Sequence, residues 1–230
     1  MTVALWIVVP YLCLAVSIAG HVWRFRVDGF QWSNRTIKAD EKRSLGMGSA
    51  LFHYGIIASL AGHALGLLVP VSLVTAAGID PYFYRSIAVG GGVLAGSLSV
   101  VGLAILLYRR LTNKHLRKRT TGIDGLSYAL LAVIVVLGLC ETAGVNLFGT
   151  GYDYRATVSV WFRGLLTFSA DPRLMAGAPI FLQAHAIAGL LLCAIWPFTR
   201  LVHSWSAPAA SLWKPSVYRS RFVSERTTEA

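Results

Sequence analysis

Five stretches of this chain are too long and too apolar to serve as ordinary soluble elements. They fall at 3–22, 49–70, 87–108, 124–146 and 179–201. At 1.5 Å per residue each can cross about 30 Å of hydrocarbon. Lipid offers the backbone no hydrogen bonds, so only helices or closed barrels cross it. The ten-residue alternating segments of a barrel are absent. The predicted fold is therefore all-α: a polytopic membrane protein of five transmembrane helices. Composition agrees, since 13% of the residues are charged, about half the share usual in a soluble domain. The first run, "VALWIVVPYLCLAVSIAG", has no basic n-region and no small-residue cleavage site, and reads as a retained span. Cys13, Cys140 and Cys193 lie inside apolar runs without CxxC spacing and read as buried small hydrophobes.

The charges between the runs are sorted by side. The loop 23–48, the loop "RRLTNKHLRKR" and the tail from Arg200 carry seventeen of the 21 basic residues. The opposite side has Arg85, Arg155, Arg163 and Arg173. The positive-inside rule makes the basic side cytoplasmic, with the N-terminus outside and the C-terminus inside. The net charge of +11 is then a topology signal, and no nucleic-acid partner is needed to explain it. Residues 1–204 are expected to form the membrane domain, and 205–230 an irregular cytoplasmic tail that docks partner subunits. In the outer loop, "WFRGLLTF" is expected as a short amphipathic piece along the interface. Trp196, Trp205 and Trp213 fit an interfacial aromatic belt.

An ionisable side chain inside a bilayer is costly and marks function by default. Four histidines fall on two helices: His53 and His63 on the second span, His185 and His203 on the fifth. His21 and His115 lie where water reaches. Opposed helix directions pair the four by depth, His63 with His185 toward the outside and His53 with His203 toward the cytoplasm. Eighteen residues return to one helix face, and ten leave a pair about 80° apart. The two steps cover about 27 Å and 15 Å, a mismatch that a kink at Pro197 could partly absorb. Two cross-helix pairs suit bis-imidazole ligation of two b haems, a use of neutral imidazole that offsets its burial. Zinc would want four close ligands. Small residues beside the ligands (Gly55, Ala61, Gly62, Gly66, Ala184, Ala186, Ala188 and Gly189) would let a flat macrocycle approach. "GGGVLAG" would do the same or pack helix on helix.

At "FHYGIIASLAGH", "FLQAHAIAGLLL" and "WPFTRLVHSWSAP" the chain resembles the gamma subunit of membrane-bound respiratory nitrate reductase, a dihaem cytochrome b. The resemblance runs over nearly the whole chain and includes the "RKRTTGIDGL" turn. It implies a quinol-oxidising anchor in the bacterial cytoplasmic membrane, holding an iron–sulfur beta subunit and a molybdopterin alpha subunit on the inner side. It further implies that His63 and His185 ligate the distal, outer haem and His53 and His203 the proximal, inner one. The family's quinol site lies beside the distal haem, at Gly62 and His63, with a lysine just before the third span. Here that position is Arg85, in "YFYRSIAVGGG", which keeps the charge but offers a planar fork.

Two further readings stay open. Glu141, in "GLCETAG", could accept a quinol proton, or snorkel to the outer interface, or pair with Arg85. Arg109, Arg110 and Arg200 could pair with propionates of the inner haem or act as interface anchors. The alternative functions are a dihaem anchor of the formate dehydrogenase or hydrogenase type, and a transporter or assembly protein whose histidines relay protons.

Overall fold

The computed structural model describes residues 2–28, 42–118, 120–149 and 151–202. Nine α-helices occur among them: α1 (Val9–Asp28), α2 (Lys42–Leu68), α3 (Val71–Ala76), α4 (Pro81–Thr112), α5 (Lys114–Lys118), α6 (Gly122–Leu139), α7 (Val158–Leu166), α8 (Pro172–Ala176) and α9 (Ile180–Ile195). No strand occurs among the described residues. Five helical segments are long and apolar enough to cross a membrane: Ala4–Val27, Leu45–Leu68, Pro81–Thr112, Gly122–Leu147 and Ile180–Phe198. These match the five expected runs within a few residues at most ends. The largest difference is the start of α4, where Asp80 caps the helix by accepting from Tyr82 N at 2.9 Å and Phe83 N at 3.0 Å. Pro81 at the first helical position strengthens that start.

Three spans depart from α geometry at one end. Residues Ala4–Val8 form a π-helical turn just before Pro10. Proline has no N–H, so the Trp6 carbonyl lacks its usual α-helical donor. The indole Nε1–H of Trp161 donates to that oxygen at 2.9 Å. The fourth span becomes π-helical over Cys140–Leu147. The fifth ends its α-helix at Ile195 and continues as 3₁₀ turns at Trp196–Phe198 and Arg200–Val202, with an extended Thr199 between them. The expected bend at Pro197 is thus a break into tighter turns. Span 1 grips this break: Arg24 Nη1 donates to Pro197 O at 2.7 Å, and Gly20 lies directly under the Pro197 and Phe198 rings.

The bundle is held by α2 on α4, α6 on α9 and on α4, and α1 on α9. The α2–α4 seam is the tightest. Gly55 faces Ala95 and Ser99, and Gly102 faces Phe52 and Gly48, backbone to backbone. Lipid gives helices no hydrophobic drive to associate, and small residues that permit close van der Waals approach take its place. Gly55 is therefore a helix-packing residue, where the sequence reading put it beside a macrocycle.

The segment 151–179 folds back as a cap. Trp6, Val158, Trp161, Met175 and Ala178 form a buried cluster with α7 and α8 laid across it. Ser159 Oγ donates to Gly66 O and Arg163 Nη1 to Leu67 O, each at 2.9 Å. Those carbonyls are the orphans of the α2 C-terminus. The "WFRGLLTF" helix is thus fastened to the span ends rather than simply lying along the interface, and its Ser159 and Trp161 are buried. Cys13 is buried, but Cys140 is exposed on the bundle surface, which corrects its reading as buried. The tail 205–230, with Trp205 and Trp213, lies outside the described residues.

Candidate functional site

The sequence paired His63 with His185 by depth alone. In the folded chain their rings lie with centroids 5.8 Å apart and planes inclined by 14°. His63 Nδ1–H donates to Ser59 O at 2.7 Å, on its own helix one turn back. His185 Nδ1–H donates to Ile134 O, on α6, at 2.9 Å. His53 repeats the first arrangement with Ser49 O at 2.7 Å. A carbonyl can only accept, so the ring proton is on Nδ1 in all three. In the neutral ring Nε2 then carries the lone pair, the state in which imidazole binds a metal.

The surroundings leave space at this pair. The helices carrying it, α2 and α9, are not a close-packed pair along their length. Cβ atoms added at Gly62 or Gly189 would meet nothing within 4 Å. On the other side, Gly138 of α6 sits against the His185 ring, and a Cβ there would lie 3.0 Å from Cε1 and 3.3 Å from Nδ1. Two imidazoles on opposite sides of one metal, each nitrogen about 2 Å from it, have centroids about 6 Å apart. The observed centroid separation of 5.8 Å matches that spacing. No group of three or more His, Cys, Asp or Glu able to hold a metal gathers among the described residues. The two imidazoles therefore suit a metal whose remaining donors come with it, as in haem.

Toward the N-terminal end of α2, His53 opens onto a groove of about 620 Å³ lined also by Leu45, Gly46, Ser49, Ala50 and Tyr54. Its expected partner, His203, lies outside the described residues. Arg110 and Arg200 converge on the start of α6. Arg110 Nε donates to Thr120 Oγ1 at 2.9 Å, and its guanidinium stands 4.6 Å from the Tyr128 ring. Arg200 Nε pairs with the buried Asp124 carboxylate at 3.2 Å, while Asp124 also closes a capping box with Thr121. Arg109 occupies the last turn of α4.

Near the C-terminal end of α2, the loop 151–155 draws several groups together. Gly151, at φ +80°, lies against the Arg85 guanidinium, and a side chain there would overlap it. Arg155 stacks on the Tyr84 ring at 4.0 Å. The Tyr154 ring packs on Gly66, one turn beyond His63. Burial, then the neighbouring Tyr84, push the Tyr154 phenol up to about 12, with Arg155 pulling the other way. Glu141 is buried and both carboxylate oxygens lack a hydrogen-bond partner, so it is neither snorkelling nor paired with Arg85. Only its main chain is engaged, accepting from Asn146 Nδ2 at 3.1 Å.

Sequence reading missed Tyr154, Arg155 and the three carbonyls that fix the histidine tautomers. "GYDYR", an arginine among tyrosines in a sparsely charged outer loop, was the available signal for the first two. Nothing local marks Ile134.

Comparison with known proteins agrees with this architecture. The family described as nitrate reductase gamma subunit matches residues 2–221. The nitrate reductase gamma chain of Bacillus subtilis is 38% identical over 218 residues, covering 94% of this chain and 97% of that protein. The respiratory nitrate reductase 2 gamma chain of Escherichia coli is 30% identical over 201 residues, 86% of this chain and 88% of its own. The nitrate reductase-like protein NarX of Mycobacterium tuberculosis is 42% identical over 218 residues, 94% of this chain. The chain spans only about a third of that relative's length, 33%. Five membrane-length helices and a match along almost the entire sequence make this a multi-pass membrane protein that belongs to the nitrate reductase gamma subunit family.

Proposed function

We propose that this chain is the haem-bearing, quinol-oxidising membrane subunit of a respiratory nitrate reductase in the bacterial cytoplasmic membrane. The observation that carries the reading is the close pair His63 and His185, each with Nδ1–H tied to a carbonyl and Nε2 without a hydrogen bond among the described residues. These two would hold an outer haem b, and His53 with His203 an inner one. Bound there, haem b supplies one-electron carriage across the apolar core. The chain's residues prepare the rest. The Ser59 and Ile134 carbonyls fix ring orientation and tautomer. Gly62 keeps one side of His63 open, and Gly138 gives the His185 ring room.

Quinol binds at the outer end, where the Arg85 guanidinium offers charge-assisted hydrogen bonds to a quinol oxygen. Glu141, buried without a partner, is placed toward that end to take up a proton. Oxidation of one quinol releases two protons to the outside and sends two electrons toward the cytoplasmic face. There an iron–sulfur subunit and a molybdopterin subunit receive them for nitrate reduction. The basic loops and the tail form the dock.

The test is a reduced-minus-oxidised optical spectrum of the membrane complex, with metal analysis of what co-purifies. Two b-type components and a molybdenum subunit are expected. Absence of b-type bands from a folded, full-length preparation would refute the reading. A complex with the bands but without molybdenum would assign the chain to another quinone-linked enzyme.

A further inference from the structure

A guanidinium loses its hydration on burial and normally recovers it from acceptors. Arg155 is an exception. Its Nε and Nη2, the two donors along one edge of the fork, are buried and make no hydrogen bond among the described residues. One face of the group lies on the Tyr84 ring at 4.0 Å, a cation–π contact that holds the plane in place. Asp153, two residues away, uses its Oδ1 to accept from the Arg155 main-chain N–H at 3.0 Å and leaves the side-chain edge alone. Tyr84 adjoins Arg85, whose guanidinium lies against Gly151 of the same loop. Tyr154, next to Arg155, packs on Gly66 one turn from His63.

We infer that Arg155 is a second binding residue of the outer site, its Nε/Nη2 edge donating to an oxygen of a quinone ring walled by Tyr84 and Tyr154. The inference rests on the proposed outer quinol site. The chemistry selects a ligand with an acceptor oxygen and a flat apolar body. The donors are hidden from solvent, two aromatic rings stand beside them, and a ligand taken from the membrane must be apolar. A lipid phosphate would satisfy the charge but has no flat ring to place against the tyrosines. Arg85 and Arg155, on different elements, would then address the same ligand from two directions.

The test uses membranes containing the full-length chain with its partner subunits and a short-tailed azido-naphthoquinone photoprobe, competed by the unmodified quinone. Haem content and co-purifying phospholipid are measured beside it. Arg155→Gln should weaken probe binding about tenfold or more, the usual effect of losing a hydrogen bond to a charged group. Haem content and phospholipid should not change. Arg155→Lys should rescue only in part, since an ammonium has no fork and stacks poorly. In the unaltered chain the label should map to the peptide holding 151–157, a readout that survives if the variant fails to fold. Unchanged probe affinity in Arg155→Gln overturns the inference, and a fall in phospholipid alone would reassign the guanidinium to a lipid headgroup. If Arg85→Gln weakens binding and Arg155→Gln does not, only this inference fails. If neither matters and the label maps to the basic loops, the outer quinol site itself fails.

Discussion

Gly102 gives the sharpest test of how this bundle is held together. A Cβ at that position would lie 2.7 Å from Phe52 Cα and 2.9 Å from Gly48 O, and closer still to Phe52 N. Carbon atoms in contact prefer about 3.5–4.0 Å. These neighbours are backbone, which cannot rotate away, so Gly102→Ala must push α2 off α4 by roughly 1 Å or leave a clash. Overpacking of this kind costs about 1–3 kcal/mol. Alanine recovers up to about 1 kcal/mol through its better helix propensity, leaving a net loss of about 1–2 kcal/mol. For a chain of this size that lowers the thermal midpoint by roughly 2–8 °C. Gly91→Ala, on the same helix, is the control. Its Cβ meets nothing within 4 Å, so it should leave the midpoint unchanged or raise it by a few degrees. Both midpoints can be read by differential scanning fluorimetry in one detergent, with the b-type absorption recorded to show which haem environment moves. Phe52 precedes His53, so the inner component should be the one disturbed. If Gly102→Ala is as stable as Gly91→Ala, the backbone contact does not hold the seam and the packing argument is wrong.

Other outcomes follow from the same geometry. His63→Ala and His185→Ala should each delete the outer spectral component in redox-poised difference spectra and leave the inner one. Loss of that same component in His203→Ala would break the pairing. Gly138→Val, which fills the space of the His185 ring, should perturb the outer component while both histidines are present. The neutral Tyr154 phenol is favoured by the fold, with a pKa of about 12 against about 10 when unfolded. Its contribution is therefore complete below about pH 10 and is lost as the pH rises toward 12. Tyr154→Phe should flatten the alkaline fall in thermal midpoint, and an unaltered alkaline limb would remove Tyr154 as its cause. Removing the tail beyond Pro208 should release the iron–sulfur subunit with both b-type components retained in the membrane. A subunit that stays bound through truncation and a high-salt wash has another dock.

What the sequence revealed divides by the range of the physics. Span positions follow from local hydropathy, which placed the third span at 87 and missed the start of α4 written in Asp80-Pro81, an N-cap followed by a proline at the first helical position. The His63–His185 encounter was legible because opposite helix directions convert residue number into depth. The role of Gly55 was not, since a glycine on an apolar helix serves a neighbouring helix and a flat cofactor equally well until the neighbour is known. Glu141 and Arg85 lie near the same end and carry opposite charges, yet Arg85 is taken up by the Gly151 turn. Pro10 shows a local signal with a distant effect. It frees the Trp6 carbonyl, but only the fold supplies Trp161 to occupy it.

The placement of two histidines on α2 acquires its meaning from the direction of charge movement. His53 and His63 are ten residues apart, about 15 Å along a helix, so ligands on α2 sample two depths of one bilayer. Under the proposed function, quinol oxidised beside His63 and Arg85 would leave its protons on the side of 71–80 and 148–179, while its electrons would be consumed on the side of the basic loops. Each charge separated this way does work of about 2.3 kcal/mol per 100 mV of membrane potential. Two electrons per quinol against 100 mV thus store about 4.6 kcal/mol. Arg85→Ala should slow reduction of both b-type components by quinol and leave nitrate-driven reoxidation of prereduced membranes unchanged, because the inner end is untouched. The reverse pattern, lost reoxidation with reduction intact, would put the quinol site at the wrong end. Sealed vesicles decide the direction independently: turnover with quinol and nitrate should acidify the compartment facing 148–179. Acidification on the side of "RRLTNKHLRKR" would mean that quinol is oxidised next to the partner subunits. The ten-residue separation would then carry no energetic consequence.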